Sequence, residues 1–487
     1  MLKRRIATAL GAAAITALPL GLASGASASA ASPTLPTVLH VGQIDRQDIA
    51  PQPNSEPDTT AEPDIAVSPV DPNIAVAVAQ DGRNLTGGAI TTTYSWTHDG
   101  GASWHHRPLP GVAKIQGGQY DGGSDPAVTF GPDGTAYVST LLLSNACPNA
   151  IGVSKSTDGG MTFSDPQVVD SDPDCDNNHG DDKETIAVDT SPHSPYYGRV
   201  YVFWTSLQLQ TATLPAGSPQ YVRWSDNNGA NWSPKVRVTA PSFFVQGAQP
   251  MFSPNGTLTI SYFDYGTGSD SDVVRVGVHP TIRPAAGTAP VIYKLRARTS
   301  YDGGRTWTLA VSISNHIGYG TGDVRCCIPA STSDPVTGMM HAVWNGVDPA
   351  KVYISSSPDG RHWSTPHRVN RDDSANLSHV NSEVTAYNGN VYVSYGTRDG
   401  SKAGGRYVQQ QVSTSRNNGA TFGPALSLGP RSDLTYAAIG SGKPFPGDYV
   451  GSSATRGRTY FAWCVSSKPA DPNATYHQVV YGAVLHP

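Results

Sequence analysis

Cysteine and charge are both scarce in this chain. Five cysteines serve 487 residues, and only 15% of positions are Asp, Glu, Lys or Arg. No His/Cys cluster has zinc-site spacing. No glycine-rich loop is built to cradle phosphate, and no Gly-x-Ser-x-Gly turn presents a nucleophilic serine. Basic residues are not in excess: the net charge is -5. That removes the electrostatic footprint expected of a partner for nucleic acid or anionic membranes. Beyond the first thirty residues there is no long apolar run, so no helical membrane span is expected.

What is present starts with those thirty residues. "MLKRR" is a basic start, "IATALGAAAITALPLGLA" a short apolar core, and Ala28, Ser29 and Ala30 supply small residues for cleavage. This is the layout of a secretory signal peptide over 1–30. Its loss takes away Lys3, Arg4 and Arg5 and leaves a mature chain of net charge -8. An exported, extracellular monomer is expected. In that oxidising setting some cysteines should pair. Cys147 with Cys175 is the simplest pairing; Cys326 and Cys327 are adjacent and either bridge each other or offer one partner to Cys464.

The remainder is rich in turn formers, with 51 Gly and 39 Pro, as suits an all-β protein. One phrase recurs through it: "THDGGASW" (97–104), "STDGGMTF" (156–163), "SDNNGANW" (225–232), "SYDGGRTW" (300–307), the shortened "SPDGRHW" (357–363) and "SRNNGATF" (415–422). Its Asp or Asn, at 99, 158, 227, 302, 359 and 417, recurs every 57 to 75 residues. Each copy follows an alternating stretch such as "AIGVSKS" and precedes another β-rich run, so it reads as a hairpin tip. The acidic or amide side chain can accept from the turn's own amides, glycine supplies positive φ, and the terminal ring can bury itself against a sheet. A feature written six times reads as a fastener rather than an active site.

A second phrase alternates with the first, from "EPDIAVSPVDPNIAVAVAQ" (62–80) to "GDYVGSSATRGRTYFAWC" (447–464). Each of its seven copies is a strand, a turn and a second strand. Together the two phrases make a row of four-stranded antiparallel meanders, the signature of a single β-propeller. Seven second phrases against six fasteners favour seven blades, with "TVLHVGQID" (37–45) as the missing outer strand; six blades with an extra hairpin is the alternative. The domain layout is then a leader over 1–30, an N-terminal segment over 31–60 and a propeller over 61–487.

The fastener resembles the Asp-box, or bacterial neuraminidase repeat, of the sialidase superfamily, and the resemblance covers about the whole mature chain. It implies Asp-boxes between third and fourth strands. A site would then lie on the opposite face, among the starts of first strands and the ends of second strands. First-strand starts hold Glu62, Asp64, Asp125, Asp182, Lys183, Glu184, Gln249, Arg325, His379, Asn381, Glu383, Asp448 and Tyr449; second-strand ends hold Asp81, Arg83, Trp204, Asp264, Tyr265, Trp344, Asn345, Tyr395, Arg398 and Asp399. Carboxylates beside arginines and aromatics are what a sugar site needs.

By the resemblance, Asp81 stands where the sialidase acid/base aspartate lies, Arg325 and Arg398 are two of the carboxylate-binding arginines, and Tyr449 or Tyr265 is the nucleophile with Glu383 or Glu184 as partner. The chain departs from that pattern at the first triad arginine, where it reads "EPDIAV". A two-carboxylate glycosidase of the arabinan-cleaving kind would draw on Asp81, Asp125, Glu184 and Glu383. A uronate lyase would use His379 and Arg325. The expectation is a secreted glycoside hydrolase acting on extracellular glycan or polysaccharide; a non-catalytic carbohydrate- or protein-binding propeller is the alternative. Substrate contacts are expected from Arg83, Asp125, Arg325, Arg398, Trp204 and Trp344. No cofactor is required, although Asp170, Asp172 and Asp174 alternate as oxygen ligands for Ca²⁺ would; a solvated acidic loop is the other reading.

Overall fold

The recurring phrase folds as a tight loop stitched by its own side chains. In Ser300–Trp307, the backbone N–H of Thr306 donates to Asp302 Oδ1 at 2.8 Å and its hydroxyl to Oδ2 at 2.6 Å. The Ser300 hydroxyl donates to Asp302 at 2.8 Å and accepts from the Gly304 N–H at 2.8 Å. The same bonds recur around Asp158, Asp99 and Asp359. Asn227 and Asn417 reproduce the main one through their amide oxygens, accepting from the backbone N–H of Asn231 and Thr421 at 2.9 and 3.0 Å. Hydrogen bonds from Ser103 and Thr97 hold the Asp99 carboxyl far below its usual range.

This is a computed structural model. It describes residues 35–487 except 47–48, 86, 146–148, 172–178, 209–215, 268–274, 277–278, 281–292, 319–322, 373–375 and 399–404. The expected leader, the Cys147–Cys175 pair, Asp172 and Asp174 lie outside the described residues.

Each loop joins the third and fourth strands of an antiparallel meander. Such meanders span 55–108, 122–171, 179–237, 243–317, 330–368 and 378–433. The last one has three strands of its own, Gly451–Thr455, Arg458–Ser466 and Gln478–His486. Its fourth comes from the other end of the chain: strand β1, Thr37–Gln43, pairs antiparallel with Gln478–His486. Bridging pairs Thr59–Gln478 and Ala89–Gly123 join three meanders into one twelve-stranded sheet. This succession of four-stranded sheets is the arrangement of a β-propeller.

Apolar cores lie between neighbouring sheets rather than within them. Val76, Tyr94 and Trp96 of one pack with Val138, Leu142 and Ala150 of the next. The ring that ends each recurring loop seals these layers: Phe163 meets Tyr94 edge-on at 4.8 Å, and Trp307 meets Phe203 at 6.0 Å. Burying such a ring contributes about 1.5–3 kcal/mol. Trp104 does the same duty against Tyr460 and Val484 of the last meander, joining the first sheet to the last.

Candidate functional site

The first strands share an irregularity. Their pairing with the second strands slips after Ala61, Ser124, Asp182, Gln246 and Val380. The next residue in each case is left-handed: Glu62 (φ 54°), Asp125 (50°), Lys183 (43°), Gly247 (67°) and Asn381 (48°). Glycine adopts that conformation freely. A side chain there costs roughly 1–2 kcal/mol, and such strain persists where the side chain is needed.

The first three bulges deliver the side chains of Glu62, Asp125 and Lys183 to one place. Glu62, Asp125, Asp182, Lys183 and Gln246, from four successive first strands, line a single cavity with Arg83, Arg325, Ile328 and Asp448. First strands that converge in this way surround a common axis. The cavity has room for about one or two water molecules.

Gln80 organises its acid pair. Its amide nitrogen donates to Glu62, and to Asp125 Oδ1 and Ser124 Oγ at 3.1 Å each. Its carbonyl accepts from Arg83 at 2.9 Å. The guanidinium groups of Arg83 and Arg325 lie 4.5 and 4.6 Å from the centre of the Phe445 ring. Arg325 also pairs with Asp448, at 2.7 Å between Nη2 and Oδ2. The Asp448 N–H in turn donates to Glu62 at 3.2 Å. Lys183 places its ammonium 3.6 Å over the Tyr449 ring, and its backbone N–H donates to Asp125 Oδ2 at 3.1 Å.

These surroundings drive the two carboxyls apart. Burial pushes Glu62 well above the usual carboxyl range, and the Asp125 and Asp448 charges add to that. Burial acts on Asp125 too, but the Lys183 charge and hydrogen bonds with Ser124, Glu62 and Asp182 outweigh it and hold Asp125 at about 2. Two carboxyls biased in opposite directions, Glu62 toward its protonated form and Asp125 toward its ionised form, therefore share one amide. Opposite environments for neighbouring acids are how folds assign acid and base roles.

Among the residues singled out from sequence, Glu62, Arg83, Asp125, Asp182, Lys183, Arg325 and Asp448 line this cavity. Tyr449 and Glu184 lie beside it. Tyr449 is buried under Lys183 and its hydroxyl donates to the Pro126 carbonyl at 3.3 Å. Burial, then the Glu62, Asp125 and Glu184 charges, raise its pKa well above the ordinary value, which leaves the hydroxyl poorly disposed to attack. Glu184 is fully buried, neither carboxyl oxygen has a hydrogen-bond partner among the described residues, and burial raises it strongly. Glu383 is spent between meanders, accepting from the Val384 N–H at 2.9 Å and the Ser452 hydroxyl at 3.5 Å.

The structure places the others elsewhere. Asp81 follows Gln80 and, by strand alternation, takes the opposite sheet face, where His106 Nε2 lies 3.9 Å from its carboxyl. Trp204 and Trp344 obey the same alternation and are packed in the cores between sheets. Arg398 grips Asp323 through both terminal nitrogens, at 3.0 and 2.8 Å. Asp170 is held by Arg223 and Lys235 at 3.0 and 2.8 Å, so a cation there would have to displace two ion pairs. His379, at 1% exposure, is enclosed by Asn370, Thr397 and the edge of Tyr395. Cys326 and Cys327 form a disulfide, and Cys464 is a buried free thiol. That disulfide adjoins the site: Cys327 Sγ accepts from the Asn381 N–H, and the Ile328 N–H donates to the Asp448 carbonyl at 2.8 Å.

No known family matches the chain, and no curated protein does. Similar solved structures include a Penicillium chrysogenum alpha-L-arabinanase complexed with arabinobiose, at 14% identity, covering 82% of this chain and 99% of that one, with a TM-score of 0.47. The Hadza microbial sialidase Hz136 is 15% identical over 84% of this chain and 76% of its own, at 0.45. The endosialidase of phage phi92 is 10% identical over 92% and 69%, at 0.47.

Proposed function

We propose that this chain is a secreted glycoside hydrolase on a seven-bladed Asp-box propeller, acting on extracellular glycan through Glu62 and Asp125. The observation that carries this reading is the Gln80 amide shared by Glu62 and Asp125, two carboxyls whose surroundings push their pKa values in opposite directions. In the reaction, Glu62 gives its proton to the leaving glycosidic oxygen and Asp125 attacks or shields the anomeric carbon. Glu62, once ionised, then takes a proton from the incoming water.

Two carboxyls hydrogen-bonded to one nitrogen have their nearest oxygens no more than about 6 Å apart, twice a hydrogen-bond length. Inverting pairs stand about 6.5–9.5 Å apart and retaining pairs about 5 Å. The hydrogen bond between Glu62 and Asp125 holds the resting pair closer than either class, so a bound sugar must part them; opening to the smaller separation, with net retention, is the outcome we expect. The site is narrow at rest, so a sugar must widen it by parting contacts such as the Arg325–Asp448 pair that lines it.

The test is release from aryl glycosides, including sialic acid and arabinofuranose, and from natural polysaccharides. Glu62→Gln and Asp125→Asn should each lower kcat by about 10²–10⁴-fold at unchanged thermal stability. Cleavage with inversion, or cleavage that survives both changes, would sink this assignment. The narrowness of the cavity favours one second reading, a non-catalytic binding propeller. It would show saturable glycan binding with no release from any substrate.

A further inference from the structure

A second opening lies where the ring is closed, on the rim beside a recurring loop and sharing no residue with the channel cavity. Between β1 and the loop at 97–104 runs a groove of about 190 Å³, lined by His40, Gly42, Gln43, Ala102, Trp104 and Gly482 among others. At two other seams a side chain of the outer strand closes onto the next loop: Gln167 donates to the Ala230 carbonyl at 3.2 Å, and His367 Nε2 lies 2.7 Å from the Gly419 carbonyl. Here Gln43 turns instead to the Asp45 carbonyl at 3.2 Å, and among the described residues no β1 side chain bonds the loop.

Trp104 also differs from the other three loop-ending tryptophans, of which Trp232 keeps its indole N–H buried without a partner among the described residues. Trp307 and Trp363 donate their indole N–H to the carbonyls of Gly304 and Gly360, each at 3.1 Å. Trp104 makes no such bond among the described residues, and its N–H is not among the buried unpaired groups, so solvent reaches it. The groove thus offers an amphipathic ring with a free donor and the polar side chains of His40 and Gln43. A side chain built at Gly42 would meet nothing within 4 Å. No Asp, Glu, Lys or Arg lines it, so an ionic ligand would find no counter-charge.

We propose that this groove is a secondary subsite for a neutral sugar ring, with Trp104 as its platform and donor. An indole beside small polar groups suits a pyranose, which has an apolar face and a hydroxyl rim. The volume suits one ring, being below the ~300 Å³ at which pockets for larger ligands begin. A rim subsite would hold a polysaccharide against the protein independently of any chemistry in the channel.

The experiment is ligand-observed NMR and calorimetry on the full chain with cellobiose and maltose, and with glucuronate as the charged control. Saturable binding of a neutral disaccharide in roughly the millimolar range is expected. Gly42→Trp, which fills the groove from an open position, should weaken it at least about tenfold with the thermal midpoint preserved. Trp104→Ala should do the same, although it also loosens the seam. Glu62→Gln should leave this binding unchanged whether or not the chain is a hydrolase. Absence of saturable binding, binding indifferent to Gly42→Trp, or equal binding of glucuronate would overturn the proposal.

Discussion

Lys183 is the residue on which the electrostatics of the channel turn. It stands amid Glu62, Asp64, Asp125, Asp182, Glu184, Glu383 and the Tyr449 ring, and its charge favours the ionised form of Asp125, Glu184 and Glu383. Replacing it with Met keeps bulk and removes the charge. The carboxylate of Asp125 then loses its principal stabiliser against burial, so its pKa must rise from about 2. Activity that needs ionised Asp125 would lose its acid limb at higher pH in Lys183→Met, and carboxyl-carbon NMR would report the same shift without any substrate. An unmoved Asp125 resonance would show that the lysine holds the site by packing alone. The positions of Glu62, Asp125 and Lys183 at first-strand starts were legible in the sequence, but the charges acting between them were not. Nor were the bulges: Glu62, Asp125, Lys183 and Asn381 are left-handed with no glycine to mark the spot. Asp81, Trp204 and Trp344 sit in strands apolar on both sides, where periodicity cannot say which face meets the axis.

At the scale of the element the balance reverses, because the recurring loop is built from local bonds. Six copies in one chain are an internal mutation series: four carry Asp and two carry Asn at the position that accepts the loop amide. Asp302→Asn keeps that acceptor and should cost little. Asp302→Ala strands the Thr306 N–H and the hydroxyls of Thr306 and Ser300, and should cost about 1–2 kcal/mol. Denaturant unfolding of the two variants decides it; equal losses would mean that the carboxylate's charge, not its acceptor geometry, matters. Strand β1 was readable for another reason. Counting phrases leaves one outer strand unfilled, and the pairing of Thr37–Gln43 with Gln478–His486 occupies that place. The small hairpin of Ile439–Gly440 and Lys443–Pro444 had no such signal. Its hold on the site is tertiary: the Ile439 N–H donates to Glu56, and the Arg325 N–H to the Pro444 carbonyl.

For the whole molecule, two populations of carboxyl act on stability in opposite directions. Loop aspartates at 99, 158, 302 and 359 are depressed in the folded state, by the Ser103 bonds at Asp99 and by loop hydrogen bonds that outweigh burial at the others. Their contribution is complete above the unfolded value of about 4 and is lost as pH falls through the lower folded values. Acids packed around the axis and the seam behave the other way. Burial raises Asp45 and Asp64 to about 6, and Glu62, Glu184 and Glu383 well above their usual range. Their contribution is complete below about pH 4 and drains away as pH rises through about 6, on the order of 2–3 kcal/mol for a shift of two units. Both sets are complete together only near pH 4, and between about pH 4 and 6 the share of the buried acids is progressively lost. The thermal midpoint should therefore be higher at pH 5 than at pH 7.5. The double variant Asp45→Asn, Asp64→Asn should flatten the fall between those values while leaving the acid side intact. Calorimetry across pH 3–8 tests this directly. A midpoint that climbs steadily from pH 5 to neutrality would mean the axial carboxyls stay ionised in the fold, and the protonated state assigned to Glu62 would lose its support with them.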